Sequence, residues 1–199
     1  MSPRPLPLRP PPLPETVAII GAGPLGRWLA LAAARAGFRV LLEDVMPANL
    51  HHAQEALRAV LGQEALPNVA FVSTIEEAVR EADLAIDCVP DELESKLEIF
   101  WLLDRMAPPR TVLATPTTRL SIADLAACTY RAGQCVGMAV EASSLAAGAD
   151  TEILLRTTSK TTPATVELVS RFWRLLGFTP TFAADPAEVA GVSPLIPSP

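Results

Sequence analysis

The run Val17-Ala-Ile-Ile-Gly-Ala-Gly-Pro-Leu-Gly26 constrains this chain more than any other stretch, because an apolar segment breaks into G-x-G-x-x-G and passes at once into Arg27-Trp-Leu-Ala-Leu-Ala-Ala-Ala-Arg-Ala-Gly37. That order reads as a buried strand, a tight turn and a helix start. Gly21 makes the turn, Gly23 lets the backbone approach a pyrophosphate, and Gly26 lets the helix pack close to the strand, with Pro24 and Leu25 completing the loop. The free N–H groups of the helix N-terminus then face phosphate charge. A second apolar run, Arg39-Val-Leu-Leu-Glu-Asp44, ends in carboxylates, and Asp44 lies near the spacing at which an acidic residue bonds adenosine ribose hydroxyls. The pattern predicts NAD binding; a glycine turn that serves packing alone is the alternative.

A chain of 199 residues, half of them apolar, can bury one sizeable core. Sixteen basic against 22 acidic residues give a formal charge of −6 without a basic stripe, so nucleic acid is not expected as a partner. Cys88, Cys128 and Cys135 form no C-x-x-C pair, and small buried thiols in a reducing, cytoplasmic setting are expected. With His51 and His52 adjacent on a solvated helix start, no metal site is expected.

Both ends differ from the middle. Residues 1–14 carry seven prolines and two arginines, with no apolar run of signal-peptide or membrane-span type. They are expected to be a disordered proline-rich leader, although Arg9-Pro-Pro-Pro-Leu-Pro14 also resembles an SH3 ligand. Residues 185–199 are again proline-rich and are expected to be a tail or lid. Residues 15–184 between them alternate strand-like with helix-like segments. Strands are predicted near 16–21, 39–43, 69–72, 84–89, 111–115, 135–140 and 152–156, and helices over about 24–36, 48–61, 75–81, 92–106, 121–127 and 163–176. Ser121 with Asp124 reads as a capping box, while Thr162-Pro163 opens the last helix and Gly177 closes it. Such alternation implies an α/β fold, a doubly wound and mostly parallel Rossmann-type sheet that binds ligands at the carboxyl ends of its strands.

Two further segments sharpen the reading: Ala82-Asp-Leu-Ala-Ile-Asp-Cys-Val-Pro-Asp-Glu-Leu-Glu-Ser-Lys-Leu-Glu-Ile-Phe100 and Pro109-Arg-Thr-Val-Leu-Ala-Thr-Pro-Thr-Thr-Arg-Leu-Ser-Ile122. Together with the glycine fingerprint, they resemble the N-terminal NAD-binding domain of the 3-hydroxyacyl-CoA dehydrogenases, from about Val17 to Asp185. The resemblance implies that Asp44 is the adenosine-ribose carboxylate, that Asp91 is the acidic residue near the nicotinamide ribose, and that Lys96 is the lysine on the following helix. It also places Val89, Pro90 and Thr117 among the cofactor-binding residues. From the residues alone, Asp91, Glu92 and Glu94 read as an acidic helix start that favours the dipole.

The family's chemistry needs a base that takes the proton of a 3-hydroxyl while hydride passes to the nicotinamide, and an imidazole suits that task. In the family, that histidine stands in G-x-H-F-F-N-P and is oriented by a glutamate some dozen residues on. Here the text is Val136-Gly-Met-Ala-Val-Glu-Ala-Ser-Ser144, so Ala139 stands at the histidine position and Leu154 or Leu155 at the glutamate's. Thr118 keeps the hydroxyl of the family's active-site serine, whereas Pro116 replaces an asparagine. The C-terminal sequence Asp185-Pro-Ala-Glu-Val-Ala-Gly191 departs from the turn that opens the family's helical domain, so that domain, which in the family forms much of the acyl-CoA cleft and the dimer interface, is expected to be missing. Trp28, where the family has a small residue, is expected to fill core or cover surface.

Three functions remain open on the sequence. One is an NAD(H)-binding relative without the standard catalysis. Another is a working NAD-dependent oxidoreductase whose base is Thr118, Glu141 or a group from a companion chain. The third is an interaction module that no longer holds nucleotide. The expected partners are NAD(H), an acyl-CoA-like small molecule and, through an apolar face near the nicotinamide end that includes Trp28, Leu145 and Leu195, a second copy or a companion chain. Neither nucleic acid nor membrane is expected.

Overall fold

In the computed structural model, residues 15–61, 66–140, 145 and 152–189 are described. Strands β1 (Thr16–Ile20), β2 (Arg39–Glu43), β3 (Val69–Val72), β4 (Leu84–Asp87), β5 (Val112–Pro116) and β6 (Cys135–Ala139) pair in parallel in the order 3-2-1-4-5-6. The order reverses between β1 and β4. Each of β1, β2, β4 and β5 shows at most one residue to solvent, and their Val, Ile, Leu and Ala content is what a sheet covered on both faces requires.

Helices α1 (Pro24–Arg35), α2 (Pro47–Val60) and α6 (Pro163–Leu175) cover one face, where Leu29, Ala33, Leu57, Phe172 and Trp173 pack on Val17, Ile19, Leu42 and Ile86. The other face is covered by α3 (Ile75–Val79), α4 (Leu93–Met106) and α5 (Ile122–Ala127), whose Val79, Phe100, Leu103 and Leu125 pack on Ala18, Ile20, Ala85 and Leu113. Residues alternate between the two clusters along β1, as a strand's two-residue period demands. The helix punctuation matches the residues that signalled it. Ser121 Oγ accepts from the Asp124 amide and Thr162 Oγ1 from the Thr165 amide, and Gly177 takes a φ of +92° just after α6.

The sheet extends beyond the six parallel strands. β7 (Glu152–Thr157) runs antiparallel to β6, and β8 (Thr179–Ala184) pairs in parallel with β7 to form the edge. The sequence reading left β8 unassigned. Its Thr-Pro-Thr-Phe-Ala-Ala text has little apolar alternation, and the proline is tolerated because edge strands leave one row of N–H groups unpaired. The fold also runs past residue 184, the expected boundary. Asp185 is buried, its Oδ2 accepting from Ser121 Oγ (3.0 Å) and the Ala123 amide (2.8 Å), and Pro186–Val189 form a short helix, α7. Trp28 packs edge-on against Phe178 at 5.8 Å, which is the core-filling role expected of it. Leu145, expected on an exposed face, is instead buried in the α1/α2/α6 cluster. Leu195 and the leader lie outside the described residues.

Candidate dinucleotide site

The glycine turn is built by backbone constraints that only glycine meets at two positions. Gly21 sits at φ +104° with Cys88 carbonyl atoms 3.0 Å from where a Cβ would lie, and a Cβ on Gly26 would overlap the Gly21 carbonyl oxygen. A Cβ on Gly23, by contrast, would meet nothing within 4 Å, so this glycine faces open space at the start of α1. Pro24 occupies the first turn of α1, where its missing N–H costs nothing.

Asp44 follows β2 and is nearly buried. Its Oδ2 accepts from the Ala22 amide at 2.8 Å, its Oδ1 from the Met46 amide at 2.8 Å, and Asn49 Nδ2 donates to both oxygens. One carboxylate thereby ties the glycine loop to the start of α2. Asn49, in the first turn of α2 and five residues past Asp44, is a site residue the sequence reading missed. Beside it, burial and the Asp44 charge push the Glu43 carboxyl up to about 7.

A cavity of about 470 Å³ lies over these residues, lined by Gly21, Gly23, Pro24, Asp44, Asn49 and Pro90 among others. A second, of about 460 Å³, is lined by Leu25, Asp91, Pro116, Thr117, Thr118, Arg119 and Val140. Cys88 and Val89 line both, so the two adjoin across the carboxyl ends of β1 and β4, at the reversal of strand order where such sheets bind ligands. A larger cavity, about 530 Å³, lies at the amino ends of the strands beside Asp83, Arg110 and Val112. Its Arg131 is already engaged by Asp104 and by backbone carbonyls.

Lys96 lies on α4, the helix after β4, as the resemblance implied, but it points inward. Its side chain is fully buried and its Nζ donates to Thr115 Oγ1 (2.9 Å), Asp87 Oδ2 (3.2 Å) and the Val89 carbonyl (3.3 Å). Asp87 Oδ1 accepts from the Val89 amide at 3.0 Å. The pair therefore clamps both polar groups of Val89 from beneath the cleft, and Lys96 itself lines neither cavity. Burial raises the Asp87 pKa, with the Lys96 charge and the hydrogen bonds pulling it back. Burial likewise pushes the Cys88 thiol up, with the Asp87 charge adding to it, which makes it a poor nucleophile despite its central position.

At the second cavity, Asp91 Oδ1 is buried without a partner, while Arg119 donates from Nη2 to the Asp91 carbonyl at 2.9 Å. Thr117 Oγ1 accepts from the Arg119 and Leu120 amides and fixes the turn after β5. Thr118 is exposed on that turn. Ala139 ends β6, and the antiparallel register sets Leu154 opposite it and Leu155 opposite Met138. Glu141 lies outside the described residues. Among the described residues no group of three or more His, Cys, Asp or Glu is placed to hold a metal, and no helix is long and apolar enough to cross a membrane.

Strand order, glycine turn and the carboxylate after β2 define a Rossmann-type dinucleotide-binding domain. Residues 16–185 match the family described as 3-hydroxyacyl-CoA dehydrogenase, NAD binding domain, and this chain belongs to that family. It is 33% identical over 137 residues to a probable 3-hydroxybutyryl-CoA dehydrogenase of Bacillus subtilis, covering 62% of this chain and 47% of that protein. It is also 31% identical over 134 residues to a 5-formyl-3-hydroxy-2-methylpyridine 4-carboxylate 5-dehydrogenase of Mesorhizobium japonicum, covering 62% and 43%. The fold superimposes on the (S)-3-hydroxybutyryl-CoA dehydrogenase of Ralstonia eutropha with a TM-score of 0.79 at 22% identity, over 86% of this chain and 64% of that one. The aligned region thus spans less than half the length of these two curated relatives. NAD is the cofactor of this domain. Its chemistry fits the residues present. The orphaned Asp91 Oδ1 needs a donor such as a ribose hydroxyl, and the open space over Gly23 admits a pyrophosphate.

Proposed function

We propose that this chain binds NAD(H) across the two adjoining cavities and does not carry out the family's standard 3-hydroxyacyl-CoA oxidation. Gly21, Gly23, Pro24 and Gly26 supply the backbone cradle for the pyrophosphate, and Asp44 accepts from the adenosine ribose. Leu25, Val89, Pro90, Asp91 and Thr117 bound the nicotinamide half. Bound NAD supplies or accepts hydride; the residues hold and orient it. The three free cysteines fit a reducing cytoplasm, the proposed location.

The observation that carries the catalytic part of this reading is Ala139 opposite Leu154. Two hydrocarbon side chains stand where the family's resemblance implies an imidazole and its orienting carboxylate. Neither can take a proton. Removal of a positioned general base typically forfeits about 10²–10⁴ in rate. Purified protein should bind NAD and NADH in calorimetry and show no appreciable oxidation of short or medium 3-hydroxyacyl-CoA. Ala139→His alone should stay inactive, because an unoriented imidazole has neither a fixed tautomer nor a fixed position. Ordinary family turnover by the unmodified chain would make the alternative, an oxidoreductase with another base or a companion chain, the leading reading.

A small acyl-type molecule at the nicotinamide cavity and a second copy of the chain are the proposed further partners. Leu175, Phe182 and Val189 expose apolar surface around α6, β8 and α7, and pairing about a two-fold axis is the commonest way to cover such surface. Light scattering at micromolar concentration should report a dimer. A clean monomer overturns the self-association.

A further inference from the structure

The turn after β5 carries a feature that neither the glycine fingerprint nor the absent base explains. Thr117 Oγ1, itself nearly buried, accepts from the Arg119 amide at 3.2 Å and the Leu120 amide at 3.0 Å, and the Thr117 amide donates to the Met138 carbonyl at 3.0 Å. Held this way, the turn presents the Thr118 hydroxyl and the Arg119 side chain to the nicotinamide-side cavity. Arg119 has five N–H donors in a planar fork, and it uses one at hydrogen-bond distance, Nη2 to the Asp91 carbonyl at 2.9 Å. Its Nε stands 3.8 Å from Asp91 Oδ2, too far for a hydrogen bond, and the guanidinium side chain is 73% exposed. A second guanidinium reaches the same turn from β7: Arg156 Nη2 donates to the Thr118 carbonyl at 3.2 Å. Arg119 therefore lines the cavity and Arg156 anchors the adjoining turn from behind, against one carboxylate in the lining, Asp91. The remaining described lining is apolar or neutral: Leu25, Cys88, Val89, Pro116 and Val140 beside the threonines.

We infer that the nicotinamide-side cavity recognises a free carboxylate on its small-molecule ligand, gripped by the Arg119 fork with Thr118 Oγ donating alongside and Arg156 adding charge. Guanidinium pairs with carboxylate through two parallel N–H···O bonds, a geometry that a neutral amide or thioester carbonyl cannot match. The ligand is thus a small oxo or hydroxy acid rather than a thioester. This rests on the proposed NAD-dependent reading for the order of binding, since NADH would line part of the filled cavity, but the charge preference belongs mainly to Arg119, with Arg156 secondary.

The test is calorimetric titration of the full chain, saturated with NADH, with acetoacetate, its neutral analogue acetoacetamide, and acetoacetyl-CoA. Acetoacetate should bind at least tenfold tighter than acetoacetamide, and Arg119→Ser should bring that ratio close to one while Arg119→Lys retains part of it. Thermal denaturation of each variant separates a lost contact from a lost fold, and Arg156→Gln, away from the cavity lining, should lower the ratio severalfold without abolishing it. Equal binding of acid and amide by the unmodified chain, or a preference for the CoA thioester over the acid, overturns the inference. NADH binding is measured in its own titration. If NADH fails to bind while acetoacetate is still preferred, the cofactor reading falls and the carboxylate site stands.

Discussion

At Asp44, two backbone amides and one side-chain amide hold a carboxylate that reaches from β2 to the glycine loop. Its place is set before any ligand arrives, so little ordering is needed on binding. The same charge, with Glu43 beside it, opposes a 2′-phosphate. Asp44→Ala should weaken NAD by about 1–3 kcal/mol, the cost typical of losing a hydrogen-bonded charged group, and should narrow the preference for NAD over NADP. Calorimetry with both cofactors on both proteins checks this. Equal affinities in the unmodified chain would sink the assignment. Asp44 was legible because an apolar run ending in an acid, one helix after a glycine fingerprint, is a local pattern. Asn49 was not, since nothing in the text marks which polar residue of α2 turns back toward the loop.

At the scale of elements, the buried Asp87–Lys96 pair links the end of β4 to the first turns of α4 and to Thr115 on β5. It fixes the Val89 peptide between the two halves of the cleft. Lys96→Met leaves a buried carboxylate uncompensated and should cost roughly 3–5 kcal/mol in denaturant unfolding. The double change Asp87→Leu with Lys96→Met should recover most of that stability, because replacing a buried ion pair by apolar groups of similar volume is often close to neutral. It should not recover NAD affinity, since Val89 then lacks both restraints. A double variant as unstable as the single one would show that the pair contributes more than mutual compensation. The resemblance placed Lys96 on the helix after β4 but could not tell contact from support, for that depends on which way a helix face turns against the sheet.

For the whole molecule, pH acts on stability through Glu43. Its carboxyl ionises at about 7 when folded against 4.5 in its ordinary state. The neutral group's contribution is therefore full below about 4.5 and is lost as pH rises through 7, where folding must carry a buried charge. At about 1.36 kcal/mol per unit, the loss approaches roughly 3 kcal/mol. Urea denaturation of Glu43→Gln, compared with the unmodified chain without NAD, should show the variant gaining stability at pH 8 relative to pH 4.5. A difference independent of pH would mean that Glu43 is solvated in the native state.

The text of the chain by itself determined the parallel strands β1 to β6, the helices between them and the glycine cradle, because strand and helix periods, caps and positive-φ glycines are written within a few neighbouring residues. Family membership was likewise legible in three motifs in order. The antiparallel β7, the edge strand β8 and the burial of Asp185 under α5 were decided by the tertiary structure, for these depend on partners 15 to 62 residues away and on segments with weak local patterns. So were the pairing of Ala139 with Leu154, the inward turn of Lys96 and the contact of Arg156 with the Thr118 carbonyl. In each case the sequence supplies the side chain, but only the register of two strands or the rotation of a helix decides what it faces.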